Sequence, residues 1–287
     1  MSELEVQAGL GRFRVQKSAA TRRIGFIDIT AVLFAVFIVV AGIWPSLLAP
    51  GDPLAINPVD AFASPSVAHW FGTDESGRDI YTRVIHGAGS SLLIGLVATA
   101  IGLGLGVVLG TIAGTLGRAV DFGVNRLLEV MFAFPGLLLA LLFILILGPG
   151  PATATIAVGL STAPGYARII RSQLISIRGS GFVEAATALG RTRGQILRRH
   201  ILPNTLAPLF VLGTLGIGQA IVWASALSFL GLGAQPPAAE WGAMLSAGRT
   251  YITTGWWMSF FPGLFIVLTA VTATVLGRAI EKRMRHA

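Results

Sequence analysis

Six long apolar runs constrain this chain more than any other feature. They extend from about Ile24 to Leu48, Ser90 to Leu116, Leu127 to Leu147, Ala152 to Ile170, Leu206 to Leu232 and Trp257 to Leu276. A helix needs about 20 mostly apolar residues to cross the hydrocarbon core of a bilayer. In lipid the backbone must also satisfy its own hydrogen bonds, so such runs fold as helices. The chain is 54% hydrophobic and 12% charged, against about 25% charged residues in a soluble domain. The expected fold class is all-α, a polytopic membrane protein with six transmembrane helices. The first run is longer than the roughly 7–15 apolar residues of a signal peptide, and no small-residue cleavage site follows it cleanly. It is therefore read as a retained span.

The basic residues orient these spans. With the N-terminus in the cytoplasm, all but Arg78, Arg83 and Arg249 of the 21 Lys and Arg residues fall on the inner side. That is a strong positive-inside asymmetry. It accounts for the formal net charge of +8 without invoking nucleic acid. The chain then divides into a cytoplasmic tail (1–23), a first transmembrane helix (24–48) and an extracytoplasmic segment (49–88). A core of five further transmembrane helices (89–277) follows, with a cytoplasmic loop at 171–204, and then a basic tail (278–287). Both termini are expected in the cytoplasm of a cell enclosed by this plasma (inner) membrane.

Chemistry inside the spans is sparse. Gly102, Gly106, Gly110 and Gly114 recur every four residues and stack on one helical face, which permits close helix packing in lipid. Gly104 lies beside them and broadens the face. The partner helix could belong to this chain or to another. Pro135, Pro164 and Pro208 lie in or beside spans, where proline removes a backbone donor and kinks a helix. Asp28 and Glu129 sit near span ends, the latter within reach of Arg126. No carboxylate lies deep in the second, fifth or sixth span, as a proton- or sodium-coupled carrier usually requires. No G-x-x-x-x-G-K-[ST] phosphate loop occurs either. Energy for uphill transport must then come from another chain. The absence of cysteine excludes disulfides and thiolate chemistry.

Between the fourth and fifth runs lies a polar insert, "EAATALGRTRGQILRRHILPN" (184–204). Phe182, Ala185, Ala186 and Leu189 recur at i, i+3, i+4 and i+7, an amphipathic helical face. Gly190 is a natural helix stop. Thr192 and Gln195 have capping-box spacing and open a second short helix, and Pro203 leads into the fifth span. Glu184 near the helix start favours the helix dipole. Helices this short are unstable alone, so the segment needs a surface to bury its apolar face, and a groove on a partner would serve.

This insert resembles the E-A-A-x-x-x-G-x(9)-I-x-L-P signature of ABC importer permeases. Glu184, Ala185, Ala186, Gly190, Leu202 and Pro203 match, and His200 stands where isoleucine is usual. The His-x-Leu-Pro-Asn ending is similar to the peptide and nickel importer branch. A second match, "HWFGTDESGRDIYTRVIHGAGSSLLIG" (69–95), resembles the second permease of dipeptide, oligopeptide and nickel systems. It carries Gly72, Thr73, Asp74, Gly77, Arg78 and Asp79, with Thr82 where serine is usual. A third is "LSFLGLGAQPPAAEWGAML" (227–245). The basic C-terminal tail departs from the acidic ending of the family and is given no role.

The resemblance implies a type I ABC importer permease fold. It implies that Phe182, Glu184, Ala185, Ala186, Leu189, Gly190, His200, Leu202 and Pro203 belong to a coupling region that docks into a groove on an ATPase. The implied partners are a second homologous permease subunit, ATP-binding cassette ATPase subunits and an extracytoplasmic solute-binding protein, beside membrane lipid and with no nucleic acid. ATP and magnesium would sit on the ATPases, and this chain would bind no cofactor and catalyse no reaction. The implied cargo is a dipeptide or oligopeptide. The alternatives are nickel chelates or another small solute, and a self-contained secondary carrier.

Outside the membrane, Asp74, Glu75, Arg78, Asp79 and Arg83 are placed to fold a surface subdomain through local ion pairs. Gly72 and Gly77 mark turns. His69 and His86 are isolated and the carboxylates sit beside arginines, so a structural role is favoured over a metal site. Ser90 and Ser91 border His86, but no orienting carboxylate is evident for a hydrolase. Trp241, Trp256 and Trp257 fit an interfacial aromatic belt.

Overall fold

The computed structural model describes residues 26–196, 198–199 and 202–284. Within them the chain is helical, with no β-strand. α1 (Phe26–Ile43) ends before Pro45, and a single turn, α2 (Pro45–Leu48), follows. A looped segment then leads to α3 (Ile80–Thr115), the longest helix. α4 (Arg118–Phe132) and α5 (Gly136–Leu147) follow, then α6 (Pro151–Arg178). Two short helices, α7 (Gly181–Ala188) and α8 (Arg193–Ile196), precede α9 (Leu202–Phe229). α10 (Trp241–Gly248) and α11 (Trp257–Met284) complete the fold.

Among the described residues four helices are long and apolar enough to cross a membrane: α1, α3, the Pro208–Phe229 part of α9, and α11. The bent pair α4–α5 makes a fifth if counted as one span. α6 is long enough but does not reach that apolarity, because Thr, Ser, Gly and Arg interrupt its apolar run. It lies inside the bundle, with Ala157, Val158 and Ala167 buried. Its hydroxyls bond their own backbone: Thr155 Oγ1 donates to Pro151 O at 2.7 Å, and Ser161 Oγ to Val158 O at 2.9 Å. Polar side chains paired in this way are tolerated at membrane depth.

The glycine repeat organises the bundle. A Cβ added at Gly102 would lie 2.9 Å from Gly159 O, at Gly106 3.0 Å from Ala167 N, at Gly110 2.7 Å from Ala167 O, and at Gly114 3.1 Å from Leu174 Cβ. The face thus meets α6 of the same chain at backbone distance. Gly104 is not part of it, since nothing lies within 4 Å of a Cβ there. Successive contacts advance together along both helices, so α3 and α6 run parallel. The α4–α5 segment must therefore carry the chain back between them. α9 returns antiparallel to α3: Cβ atoms at Gly95 and Gly216 would collide with Ile221 and Tyr166, and that at Gly216 would lie 2.9 Å from Thr99.

The third apolar run is not one straight span. α4 and α5 meet at 94°, on either side of Pro135. α5 has 12 residues, about 18 Å of helix at 1.5 Å per residue, which is short of a bilayer core of about 30 Å. The third span expected over 127–147 is thus corrected to two helices, with the break at Pro135, where a kink is expected. The residues preceding Pro135 belong to the amphipathic α4, whose charged face carries Asp121, Arg126 and Glu129. Arg126 Nη1 donates to Glu129 Oε2 at 2.9 Å, so Glu129 is paired at an exposed edge.

Candidate functional site

Three features bear on function: the α7–α8 segment, a folded cap at the opposite end of the bundle, and a cavity between them.

α7 starts immediately after α6. Arg178 Nη1 donates to Gly114 O at 2.5 Å and ties the end of α6 to the end of α3. α7 then closes with a Schellman arrangement. Gly190 N donates to Thr187 O at 3.0 Å and Arg191 N to Ala186 O at 3.2 Å. Gly190 has φ +75°, a left-handed conformation that costs a residue with a Cβ. Nothing lies within 4 Å of an added Cβ, so the requirement at Gly190 is conformational rather than steric. The predicted capping box is present: Thr192 N donates to Gln195 Oε1 at 3.1 Å, and Gln195 N to Thr192 Oγ1 at 3.4 Å.

The amphipathic face divides differently from the spacing argument. Val183, Ala186 and Ile196 are buried and pack with Ile170, Leu174 and Leu209 of α6 and α9. Ala186 therefore belongs to the anchor, not to the outward face, and Val183 and Ile196 are the residues that sequence reasoning missed. Val183 and Ala186 are three residues apart, which was the available signal. Phe182 is 46% exposed and Leu189 79% exposed, and Glu184 and Ala185 are exposed beside them. Leu202 and Pro203 open α9, and His200 lies outside the described residues. One side of the segment is thus fixed to the bundle and the other is a small apolar surface facing outward.

The cap is built from residues 49–79 and the 235–257 region. Asp79 caps α3, accepting from Thr82 N at 2.8 Å and Thr82 Oγ1 at 2.9 Å. Its second oxygen takes His69 Nδ1 at 2.9 Å. Asp74 accepts from Ser76 N at 2.9 Å, Arg78 N at 3.0 Å and Arg78 Nε at 2.7 Å, while Arg78 Nη2 reaches Glu75 at 2.6 Å. Gly72 and Gly77 both have positive φ, and a Cβ at Gly77 would collide with Asn57 O. Thr73 O accepts from Trp257 Nε1 at 2.9 Å, and Thr73 Oγ1 donates to Asp60 O. Arg83 is 3% exposed and bridges two loops distant in sequence, donating to Pro53 O at 3.1 Å and Pro237 O at 3.1 Å. His86 Nε2 lies 2.9 Å from Ala49 O. His69, Asp74, Glu75, Asp79 and His86 thus each have a structural partner.

Of the belt tryptophans, Trp241 and Trp257 are buried and Trp256 is half-exposed. Trp241 Nε1 donates to Val84 O at 2.8 Å and Trp257 Nε1 to Thr73 O, so both are core residues and their placement in an interfacial belt is corrected. Beside Trp241, Glu240 caps α10, accepting from Gly242 N and Ala243 N at 2.9 Å each. Burial pushes the Glu240 carboxyl up from the ordinary glutamate value, against the opposite pull of these donors.

The cavity, about 400 Å³, lies where the α4–α5 elbow, α6 and α9 meet. Its wall includes Phe132, Gly136, Tyr166, Gly216, Gln219 and Trp223. No motif marked these residues in the sequence. Apolar spans do not disclose which face they turn inward.

Solved structures of ABC transporters share this fold. The chain matches the methionine ABC transporter MetNI in an inward-facing conformation, with TM-score 0.56 and 20% identity over 71% of this chain and 97% of that one. It matches an amino acid ABC transporter with TM-score 0.54 and 20% identity, over 72% of this chain and 95% of that one. The fold is thus that of a type I ABC importer permease, an integral multi-pass membrane protein. Residues 106–286 match the family of binding-protein-dependent transport system inner membrane components, and the chain belongs to that family. It is a transport subunit, not an enzyme. The dipeptide transport system permease of Alkalihalophilus pseudofirmus is 43% identical over 94% of this chain and 86% of its own length. A probable D,D-dipeptide transport system permease of Escherichia coli K12 is 41% identical over 89% and 86%. A glutathione transport system permease of Shigella flexneri is 42% identical over 88% and 84%.

Proposed function

We propose that this chain is one of two paired permease subunits of an importer for short peptides. Its termini and the α7–α8 segment face the cytoplasm, where separate ATPase subunits hold ATP and magnesium. A solute-binding protein delivers cargo at the cap. The observation that carries the reading is the two-sided α7–α8 segment. Val183, Ala186 and Ile196 fasten it to α6 and α9, and Phe182, Ala185 and Leu189 are presented outward. A helix so anchored is a rigid tooth for a groove on another protein. A shift of α7 is passed to α6 without slack, because only Gly179 and Ser180 separate them. The names of the three relatives, two for dipeptides and one for glutathione, support a peptide cargo.

The test is to purify the complex carrying Gly190→Leu or Glu184→Lys. Leucine at a left-handed position costs about 1–2 kcal/mol and opens the Schellman turn. Both variants should insert normally, yet retain about fivefold less ATPase subunit and lose dipeptide uptake. Full retention of the ATPase together with normal uptake would contradict the docking role.

A further inference from the structure

We propose that the cavity between the elbow, α6 and α9 is a solute subsite that takes peptide backbone through neutral hydrogen bonds, with Gln219, Tyr166 and Trp223 as its contact residues. This deepens the transport reading and rests on it.

Gln219 lies at the centre of the 22-residue apolar stretch Pro208–Phe229 and is exposed on the bundle. Its amide has donors and acceptors for up to four hydrogen bonds, and makes none to another described residue. At membrane depth such a group is costly unless something polar faces it. Trp223 stands one turn further along α9 on the same wall. Its ring lies over Gly136, where a Cβ would collide with it. Tyr166 reaches the cavity from α6 because Gly216 is bare: a Cβ there would collide with the Tyr166 hydroxyl. The Tyr166 hydroxyl and the Trp223 indole N–H likewise have no hydrogen-bond partner among the described residues. Two glycines thus make room for two aromatic side chains, and three hydrogen-bonding groups without a partner among the described residues line the cavity, two from α9 and one from α6.

The chemistry of the wall selects the occupant. A lipid tail would satisfy the aromatic surface but leave all three polar groups unpaired. Among the described residues no Asp, Glu, Lys, Arg or His lines the cavity, so the site addresses the neutral peptide bond, leaves the charged termini to water and offers no ligand to a metal chelate. A peptide bond offers one donor and one acceptor, the complement of the primary amide of Gln219, and its side chains can rest on Trp223 and Phe132. The volume, about 400 Å³, falls in the range of about 300–1,000 Å³ for small-molecule sites. A neutral site also suits passage, because a permeation site must hold its solute weakly enough to release it.

The test uses the complete importer, with binding protein and ATPases, in vesicles, and tritiated alanyl-alanine as probe. Gln219→Leu should lower uptake per ATP hydrolysed about tenfold and Tyr166→Phe about threefold, with Gln219→Asn intermediate. Stimulated hydrolysis and retention of the second permease should stay within about twofold of wild type, a pattern that a general folding defect would not give. Unchanged uptake per ATP in both Gln219→Leu and Tyr166→Phe would overturn the subsite while leaving the transport reading intact. Loss of the second permease from the Gln219→Leu complex would also overturn it, assigning Gln219 to the interface between subunits. A wild-type importer that hydrolyses ATP but takes up no alanyl-alanine would remove the peptide reading and the subsite with it. If Gln219→Leu does not accumulate, Tyr166→Phe and Trp223→Phe decide between the same outcomes.

Discussion

Gly106 and Gly104 are two residues apart and have opposite requirements. A Cβ at Gly106 would collide with Tyr166 Cβ and lie 3.0 Å from Ala167 N, whereas one at Gly104 meets nothing within 4 Å. Gly106→Leu should therefore separate α3 from α6 and cost at least the about 1–3 kcal/mol typical of overpacking. Gly104→Leu should be tolerated. Melting of the detergent-solubilised protein measures the difference, and equal melting temperatures for the two variants would contradict the packing described here. The four-residue glycine repeat was legible because it is local and periodic. Its partner helix was not, because 57 residues separate Gly102 from Gly159 and no local pattern encodes that pairing. Arg83 shows the same limit: the sequence placed it among surface ion pairs, but not between two loops more than 150 residues apart.

At the scale of elements, the elbow is the feature that sequence reading misjudged. Its apolar residues count correctly as membrane material and Pro135 marks a kink, yet neither signal gives the 94° size of the bend or shows that the preceding turns are amphipathic. The structure also shows what holds the elbow. Arg171 of α6 pairs with Asp121 of α4 through two hydrogen bonds, Nε to Oδ1 at 2.5 Å and Nη2 to Oδ2 at 2.6 Å. Arg168 lies 3.9 Å from the centroid of the Phe132 ring. Both arginines lie on the helix that leads into α7, so α6 grips the elbow that lines the cavity. A bidentate pair of this kind fixes geometry as well as energy. Asp121→Ala and Arg171→Ala should each lower peptide uptake per ATP about threefold to tenfold, within the range of coupling changes along a packed network. The exchange Asp121→Arg with Arg171→Asp should restore much of it. Uptake per ATP at the wild-type level in both single variants would show that the pair does not transmit motion. The α7–α8 caps, by contrast, were legible to the residue, since Gly190 and the Thr192–Gln195 pair act over one turn.

Across the whole molecule, one bundle carries a distinct folded feature at each end. The cap is a folded unit stitched by Arg83, Asp74 and the Trp257–Thr73 hydrogen bond. The α7–α8 segment lies at the other end, where α3 and α6 both finish. The central claim is that this segment faces the cytoplasm and meets the ATPase. Because the chain has no cysteine, single cysteines report position without background. Leu189 and Val67 are 79% and 95% exposed at the two ends. A membrane-impermeant maleimide should label Val67→Cys only in right-side-out vesicles and Leu189→Cys only in inside-out vesicles, with the latter protected when the ATPase subunits are bound. Labelling of Leu189→Cys from the external face, or with equal speed in the presence of bound ATPase, would contradict the account.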